Sequence, residues 1–546
     1  MAKKIAILVS VVLIAGLLFG CGSGGGSTSG GSTSGGSTSG GSTAGGSAAT
    51  HGKTFNLIIH GQQNGVDPHN TVGTIDEYVG RCIFDVIADT DHYGNRFGVL
   101  CDTWEYNEDC TEMTFTLRKG ITFTNGEPWN ADVFVYNINR LVEYKDELGL
   151  ALRYYMPMVG AVKVDDYTVK MLFDSSFPFA HAYLRLFMII PMQAHMEYGE
   201  DFFNQRMLYG TGPWKFGEWV NGQYTYLTKN EDYWDKEHYD SYFDDGYLRY
   251  ILEPTSAAAA HIAGDADAYV GQGGINRDIL PLYAGSEDKI ELVEIELLMH
   301  GFVTLSFKEG SVFNDIRVRE AASLAIDRQS IADNIYMSGR ACVGVLQPGV
   351  TGYDPSMPPY EYNPEKAKQL LAESGYDGRE LVFTAANDGY RAEDATLAIA
   401  SMLTDVGFNI KVLMEDTASM NERSATGNFD MNSATFLSVD GIPFGYFQWN
   451  YLSDTGHHFY KDDTLTEYLL QFTQGLDPDK REIAARNVGW FVKENFAPYL
   501  PFALVNAVHA VSYGLDGLYL YPDGQLDFHH VDWDPSLTKW EPFKAG

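Results

Sequence analysis

Stretches in which apolar and polar residues alternate recur along the chain after residue 54, and each predicts a β-strand with one buried face. They cover residues 55–60, 113–117, 167–173 and 224–227. Stretches that fit helices cover residues 77–88, 131–142, 256–263, 317–326 and 364–373, with Asn130 as a cap for the second. Strands and helices interleave without a sustained βαβ rhythm, and no domain-sized repeat is present. The pattern therefore predicts a mixed α/β protein.

The first 53 residues follow a different pattern. Lys3 and Lys4 precede an apolar run over residues 5–20, Cys21 follows it directly, and a tract of Gly, Ser and Thr comes next. A positive start, a short apolar run and a small residue at its end are typical of a secretory signal peptide, and the run is too short for a good membrane-spanning helix. The residues before Cys21 resemble a bacterial lipobox, in which the cysteine receives a lipid and becomes the mature N-terminus.

We therefore expect residues 1–20 to be a signal peptide, Cys21 to be lipidated and residues 21–53 to form a tether. The tether has almost no apolar side chains, so it cannot form a packed core. The expected location is the cell envelope, with the body of the protein lipid-anchored to the outer face of the cytoplasmic membrane. The alternative is an uncleaved anchor in which the position of the cysteine is a coincidence.

The charge of the mature chain limits its partners. Removing residues 1–20 takes away two lysines and no acids, which leaves 36 basic and 73 acidic side chains and a net charge of −37. Nucleic acids and anionic lipid surfaces are bound through basic patches, so neither is expected as a partner. Repulsion between like charges favours a soluble monomer. The roughly 490 residues after the tether suggest two or three lobes.

Four cysteines follow Cys21, and none of them lies in a CxxC motif, so a structural zinc site and a thioredoxin-type motif have no support. Cys101 and Cys110 flank a predicted strand that runs into an Asn-Glu-Asp turn. In an exported protein they could form a disulfide or remain free thiols, and the sequence leaves both open.

No pattern of catalytic residues is present. The chain lacks a GxSxG elbow, a P-loop, an HExxH helix and a GxGxxG turn after a strand. Adjacent histidines occur twice, as His457 with His458 and as His529 with His530. Neighbours on a strand point in opposite directions, so such a pair is a poor metal site on its own. We therefore expect a protein that is not an enzyme, with no metal site and no cofactor.

Short blocks of distinctive residues follow one another along the chain. In order, they are 100–104 (LCDTW), 114–120 (TFTLRKG), 123–128 (FTNGEP), 130–133 (NADV), 210–214 (GTGPW) with Asn230, Tyr233 and Trp234, 264–267 (GDAD), 315–319 (DIRVR), 325–328 (AIDR), 363–368 (NPEKAK) and 429–431 (FDM). These blocks resemble the signature of family 5 solute-binding proteins. The family comprises extracytoplasmic receptors of ABC importers, among them oligopeptide-, dipeptide- and nickel-binding lipoproteins. The similarity covers residues 54–533, and we expect most motif residues to hold the fold rather than touch a ligand.

The resemblance implies a two-lobed, periplasmic-binding-protein-like α/β fold of the class II type, with an extra domain and a ligand cleft between the lobes. The implied division assigns residues 54–87, 207–300 and 510–546 to lobe I, residues 88–206 to the extra domain II, and residues 301–509 to lobe III.

The implied function is capture of a ligand by hinge closure and its delivery to a membrane permease for import. A peptide is the favoured ligand. A metal chelate or an oligosaccharide is the alternative within the receptor class. A tethered hydrolase that uses an acidic pair on a sugar is the alternative from a different class.

One stretch departs from the family pattern where the ligand is expected. Peptide receptors of the family carry W-x-x-D-x-x-D/E-P after the FDM block, whereas residues 437–443 read LSVDGIP here. Asp440 matches the carboxylate that receives a peptide's α-amine, and Leu437 replaces the tryptophan. The resemblance thus implies that Asp440, Leu437 and Gly441 contact the ligand, and a buried ammonium does need a paired carboxylate. The alternative is that Asp440 caps a turn before Gly441.

Overall fold

The computed structural model describes residues 52–70, 74–144, 157–199, 201–204, 206–271, 273–337, 339–386, 392–416, 419–420, 422–423, 426–438, 441–452 and 459–544. All of them belong to one unit, Thr50–Gly546. Cys21, the predicted signal peptide and most of the predicted tether lie outside the described residues.

The described residues form β-strands and α-helices in an irregular alternation. The strands are β1 (Thr54–His60), β2 (Ala88–Thr90), β3 (Arg96–Gly98), β4 (Cys101–Tyr106), β5 (Glu112–Leu117), β6 (Met158–Asp165), β7 (Thr168–Phe173), β8 (Trp214–Val220), β9 (Tyr224–Lys229), β10 (Asp245–Tyr250), β11 (Ala268–Gly271), β12 (Ile290–Leu305), β13 (Glu380–Ala386), β14 (Asn409–Glu415), β15 (Met431–Leu437), β16 (Tyr499–Ser512), β17 (Leu515–Asp516), β18 (Tyr519–Leu520), β19 (Leu526–Asp527) and β20 (Asp532–Trp533). The helices are α1 (Thr74–Ile83), α2 (Ala131–Glu143), α3 (Ala180–Tyr183), α4 (Met192–Tyr198), α5 (Asp201–Asn204), α6 (Pro254–Ala263), α7 (Ile316–Ala325), α8 (Arg328–Ile331), α9 (Pro364–Ser374), α10 (Ala392–Asp405), α11 (Phe444–Phe447), α12 (Asp463–Gln474) and α13 (Pro478–Asn495).

A ten-stranded mixed sheet runs through the protein in the order β14-β13-β15-β12-β16-β11-β1-β10-β9-β8. Its two long central strands, β12 and β16, are antiparallel, and their register shifts where Glu296 pairs with Asn506 and His300 pairs with Leu504. Because β12 advances four residues while β16 advances two, residues 297–299 form a bulge, which bends and twists a strand locally. The implied boundary between lobes I and III passes close to this bulge, and that division stays a prediction.

A second, antiparallel sheet has the order β4-β5-β7-β6. Helix α2 packs against it, and the buried rings of Phe115 and Phe134 meet with centroids 5.2 Å apart. The side chain of Asn130 caps α2 by accepting hydrogen bonds from the backbone N–H groups of Asp132 and Val133. The sheet lies inside the residues for which the resemblance implies the extra domain.

The predicted elements are confirmed with bounds that differ by two residues or fewer, except in the first helix, where α1 starts at Thr74, three residues before the predicted start, and also departs from the prediction at its end. The helix predicted over residues 77–88 is wrong there, because α1 ends at Ile83 and β2 begins at Ala88. The chain leaves the helix to bury Asp85, whose carboxylate accepts a hydrogen bond of 2.8 Å from the indole N–H of Trp234. A buried carboxylate needs such a partner, and the partner is distant in sequence.

Motif residues serve the fold where they are described. Trp214 is buried and donates its indole N–H to the backbone oxygen of His529. The amide of Asn230 donates to the backbone oxygen of Gly212, and a Cβ at Gly212 would crowd the backbone oxygen of Cys82. These contacts agree with the expectation that the motifs mainly stabilise structure.

Cys101 and Cys110 are free thiols, as are the other two cysteines of the described residues. The Cys101 thiol lies against the backbone oxygen of Ile87, and burial raises the pKa of this thiol to about 12. The sequence left open a disulfide between Cys101 and Cys110 or two free thiols, and the structure contains the free thiols.

Only one of the two histidine pairs lies in the described part of the chain, and it belongs to no group arranged to hold a metal ion. His529 and His530 lie in a turn rather than on a strand, and their ring centroids are 3.6 Å apart. His457 and His458 lie outside the described residues. Within the described part of the chain, no group of three or more His, Cys, Asp or Glu side chains is arranged to hold a metal ion. No helix of that same part is long and apolar enough to cross a membrane.

Candidate functional site

The stretch implied to contact the ligand follows β15, and Asp440 lies outside the described residues. Leu437 is half-buried at the end of β15. Gly441 is buried and has a left-handed backbone with φ of 68°. Its carbonyl accepts a hydrogen bond of 2.8 Å from the backbone N–H of Thr351, and a Cβ at Gly441 would overlap the carbonyl oxygen of Gly349. Only glycine fits this position, so the backbone on the C-terminal side of Asp440 is held firmly.

The bulge of β12 joins this stretch to the C-terminal part of the chain. The carbonyl of Leu298 accepts a hydrogen bond of 2.8 Å from the N–H of Ser438, and the N–H of Leu298 donates to the carbonyl of Pro522 over 2.6 Å. The Leu298 side chain also reaches Gly349 and Gly441. Three segments that are far apart in sequence therefore meet at one residue of the central strand.

Residues 521–525, which we name the C-terminal turn, form the third of these segments. The N–H of Tyr521 donates to the carbonyl of Gln525 over 3.0 Å, and the N–H of Gly524 donates back to the carbonyl of Tyr521 over 2.9 Å. The hydroxyl of Tyr78, on α1, donates to the carbonyl of Gly524. A Cβ placed on Gly524 would lie within 3.8 Å of both methyl groups of Leu437. The turn thus packs between α1 and the stretch that contains Asp440.

A buried ion pair between Arg185 and Asp523 links the C-terminal turn to the segment between β7 and β8. The Nη1 atom of Arg185 is 2.7 Å from the Oδ2 atom of Asp523, and the two side chains are 2% and 5% exposed. The guanidinium of Arg185 also lies 4.8 Å from the ring centre of Tyr521. Desolvating two charges is costly, so this pair is stable only because its geometry is close and each partner compensates the other.

A second buried arginine extends this network. Arg81, one turn after Glu77 on α1, forms ion pairs with Asp89 and, at 2.7 Å, with Asp527. The Nε atom of Arg185 is 3.9 Å from Asp89. Two guanidinium groups and three aspartates therefore form one buried chain of alternating charge that ends at the C-terminal turn.

Aromatic rings cover the other side of the junction. The ring of Phe436, next to Leu437, is 4.4 Å from the ring of Tyr446, measured between centroids. His300, two residues after Leu298, is buried among these rings, and its Nδ1 atom is 3.1 Å from the Oε1 atom of Gln347. Burial lowers the pKa of His300 to about 4, so at neutral pH the ring is uncharged and Nδ1–H donates to Gln347. These rings thus form a packed aromatic wall on this side of the junction.

Further aromatic contacts join α11 and α12 to residues 177–179, which lie within the implied extra domain. Phe177 and Phe444 have centroids 4.8 Å apart, and Phe179 stacks on Phe472 at 5.0 Å. Aromatic pairs of this kind contribute about 0.5–1.5 kcal/mol each beyond their buried area. They hold α11 and α12 against the segment that carries Arg185.

A cavity of about 480 Å³ lies beside Arg81 and is lined by residues from three parts of the chain, within 81–118, 233–239 and 529–544. Neither Leu437 nor Gly441 lines it, so it is a different region from the implied ligand contacts.

Sequence reasoning missed Leu298, Arg185 and Asp523. No motif marks Leu298 or Asp523. Arg185, however, stands in a nearly unbroken apolar segment, residues 177–190. A guanidinium in such a segment must be paired once it is buried, so the position of Arg185 was a usable signal.

Comparison with known proteins shows the family. The model of the bacterial extracellular solute-binding proteins, family 5 Middle, matches residues 98–458. The chain is 28% identical to the oligopeptide-binding protein AppA of Bacillus subtilis (strain 168) over 349 residues, which are 58% of this chain and 61% of AppA. It is 24% identical to the glutathione-binding protein GsiB of Salmonella choleraesuis (strain SC-B67) over 489 residues, 86% of this chain and 92% of GsiB. The alignment therefore spans about three-fifths of AppA and most of GsiB.

Solved structures with the same fold cover nearly all of the described chain. A dipeptide-binding protein from Pseudoalteromonas sp. SM9913, in complex with Met-Leu, superposes with a TM-score of 0.76 at 18% identity, over 88% of this chain and 100% of that one. NikA from Brucella suis, in complex with Fe(III)-EDTA, gives a TM-score of 0.76 at 20% identity with the same coverage. The predicted two-lobed periplasmic-binding-protein-like α/β fold is confirmed.

The family match extends over more than half of the chain, and the family consists of binding proteins. The alternative of a tethered hydrolase is therefore not retained, and the prediction that the protein is not an enzyme is confirmed. The chain belongs to family 5 of the bacterial extracellular solute-binding proteins.

Proposed function

We propose that the protein captures a ligand outside the cytoplasm and delivers it to an ABC permease for import, with a peptide as the favoured ligand. The junction at Leu298 carries this proposal, because it brings the stretch around Asp440 against the C-terminal turn and the bulge of the central strand. Relatives named for binding an oligopeptide and glutathione, which is itself a peptide, support the ligand class. A relative named as a nickel-binding periplasmic protein, 25% identical over 352 residues, keeps a metal chelate as the second candidate.

Closure of the two implied lobes would use the bulge at residues 297–299. A bulge interrupts the regular ladder and concentrates bending in a few residues, as a hinge requires. Opening would move Leu437, Asp440 and Gly441 of lobe III away from the C-terminal turn of lobe I, which Leu437 contacts in this structure, and would admit a ligand between them. The aromatic wall would exclude water from the ligand in the closed form.

Ligand binding is expected to stabilise the mature protein and to make it more compact. At a concentration one hundred times Kd, a true ligand raises the free energy of unfolding by about 2.7 kcal/mol through mass action. A thermal-shift screen of short peptides, metal chelates and oligosaccharides identifies the ligand class, and small-angle scattering with each hit measures the radius of gyration. A ligand that stabilises strongly and leaves the radius unchanged would rule out hinge closure. If only a chelate or an oligosaccharide stabilises the protein, that class of ligand replaces the peptide in the proposal.

Membrane attachment through a lipid on Cys21 is the other part of the proposal. We expect the mature protein to sediment with membranes and the Cys21→Ala variant to be released or misprocessed, because the Gly/Ser/Thr tether has no affinity for lipid of its own. Membrane and soluble fractions probed by immunoblotting measure this. Cys110→Ala, which changes a cysteine of the body, is the matched control and should stay with the membrane. Full membrane retention of Cys21→Ala after removal of residues 1–20 would contradict lipid anchoring.

A further inference from the structure

Residues 343–358, which we name the 343–358 loop, contain no helix or strand and lie against the stretch implied to contact the ligand. The backbone N–H of Thr351 donates to the carbonyl of Gly441 over 2.8 Å. The carbonyl oxygen of Gly349 occupies the space that a Cβ at Gly441 would need. The middle of the loop therefore holds the residue that directly follows Asp440.

The two ends of this loop meet at a single side chain of α13. The Nζ atom of Lys493 donates to the carbonyl of Val343 over 2.8 Å and to the carbonyl of Pro358 over 2.6 Å. Burial and the neighbouring Arg328 lower the pKa of Lys493 to about 8, so at pH 7 most of these side chains still carry their charge. Hydrogen bonds from a charged donor are roughly twice as strong as neutral ones. The ammonium therefore closes the loop at its neck.

Two further contacts fasten the middle of the loop to the same helix. The indole N–H of Trp490 donates to the Oδ2 atom of Asp354 over 2.9 Å. Gly352 lies so close to α13 that a Cβ there would overlap Ala485. Compact loops whose ends lie close together are held by their own side-chain contacts and are frequently functional. This loop is packed between α13 on one side and the stretch after β15 on the other.

We propose that Lys493 is a positioning residue for ligand binding, which acts through the 343–358 loop rather than by contact with the ligand. Its ammonium keeps the loop ordered, and the loop keeps Gly441 and the preceding Asp440 in the geometry that receives the ligand. A site that is ordered beforehand loses less conformational entropy on binding, so its affinity is higher. The inference rests on the proposed function, because it assumes a ligand against the stretch around Asp440.

Hydrogen exchange of the mature chain without ligand, followed by mass spectrometry at pH 7, tests the order of the loop. Lys493→Met keeps an unbranched side chain and removes the donor. The amides of residues 349–353 should then exchange about tenfold or more faster than in the parent, because the Thr351 N–H is no longer held against Gly441. Strand β5, in the second sheet, should exchange as it does in the parent.

Isothermal titration at pH 7 with Ala-Ala-Ala, Ala-Phe-Ala and Ala-Lys-Ala tests the effect on binding. For each tripeptide that the parent binds, Lys493→Met should raise Kd about tenfold or more, since only molecules with an ordered loop are competent to bind. Lys493→Arg keeps a charged donor with several N–H groups and should hold Kd within about threefold of the parent. Lys480→Met, at a lysine of α13 whose side chain is 81% exposed, is the matched control and should change neither exchange nor Kd.

An independent variant reaches the same loop without changing Lys493. Trp490→Phe keeps an aromatic ring and removes only the N–H that is donated to Asp354. It should speed exchange in residues 349–353 and raise Kd by about threefold. If Lys493→Met does not fold, Trp490→Phe decides alone.

The outcomes separate the inference from the proposed function. Unchanged exchange in residues 349–353, or faster exchange in β5 as well, overturns the inference, because the loop then does not depend specifically on Lys493. Faster exchange with an unchanged Kd overturns it and leaves peptide capture standing, as does a Lys493→Arg variant that binds as weakly as Lys493→Met. If no tripeptide binds the parent protein, peptide capture is overturned and the positioning role with it.

Discussion

Arg185→Met is expected to lower the free energy of unfolding by about 3–5 kcal/mol, which is the usual cost of removing one partner of a buried ion pair. Methionine keeps much of the length of the arginine side chain and removes its charge. The carboxylate of Asp523, 5% exposed and 2.7 Å from the arginine in the parent, is then left without its guanidinium in a dry environment. Urea unfolding of the mature chain, followed by tryptophan fluorescence, measures the change.

A matched surface pair and a double variant control this prediction. Arg340 and Glu296 also form an ion pair, with 2.7 Å between Nη1 and Oε1, but their side chains are 48% and 40% exposed. Arg340→Met should therefore cost no more than about 1 kcal/mol. Adding Asp523→Leu to Arg185→Met should recover part of the loss, because no buried charge then remains unpaired at that position. A cost for Arg185→Met no greater than that for Arg340→Met would show that the buried pair does not hold the C-terminal turn.

Asp440→Asn is expected to weaken the binding of peptides with a free α-amine by about 2–5 kcal/mol, the range for breaking a buried charged pair. An ammonium that enters the site must leave water, and without a carboxylate to meet it the loss of solvation is not compensated. Asparagine keeps the shape of the side chain and removes only the charge. Isothermal titration with one peptide in free and N-acetylated form measures the effect.

The acetylated peptide provides the control for this substitution. It should bind the parent poorly, because it has no ammonium, and it should lose little more affinity in Asp440→Asn. The melting temperature without ligand should hardly change, or rise slightly, since one acid has been removed from a strongly acidic protein. If the variant instead loses unliganded stability and keeps its affinity, Asp440 is the cap of the turn before Gly441. The peptide assignment then loses the support of that residue.

Local sequence patterns were sufficient for the elements whose signals are themselves local. The alternation over residues 113–117 and the cap at Asn130 specify β5 and the start of α2 because each acts within a few residues. The end of α1 was missed because it depends on a hydrogen bond between Asp85 and Trp234, which are 149 residues apart. Local periodicity contains no information about such a partner.

The candidate site likewise contains residues that the sequence located and residues that it could not locate. The resemblance located Leu437 and Gly441, and the structure places both beside the bulge of β12. Leu298 could not be found from the sequence, because the bulge exists only in relation to Asn506 and Leu504 on the partner strand. The pairing of Arg185 with Asp523 joins residues 338 positions apart, and only the folded chain shows it. The limits of the lobes and the role of Asp440 stay predictions.

The cysteines of the body have a practical consequence for observing the protein in solution. Cys82, Cys101 and Cys342 are buried, whereas Cys110 is partly exposed. Thiol reagents need access to the sulfur, so a maleimide dye added to a chain that begins after Cys21 would label Cys110 selectively. Cys110 lies close enough to Arg481, near the start of α13, for the two to interact electrostatically. A single fluorophore there, introduced without any substitution, would report whether its surroundings near the start of α13 change when a ligand is added.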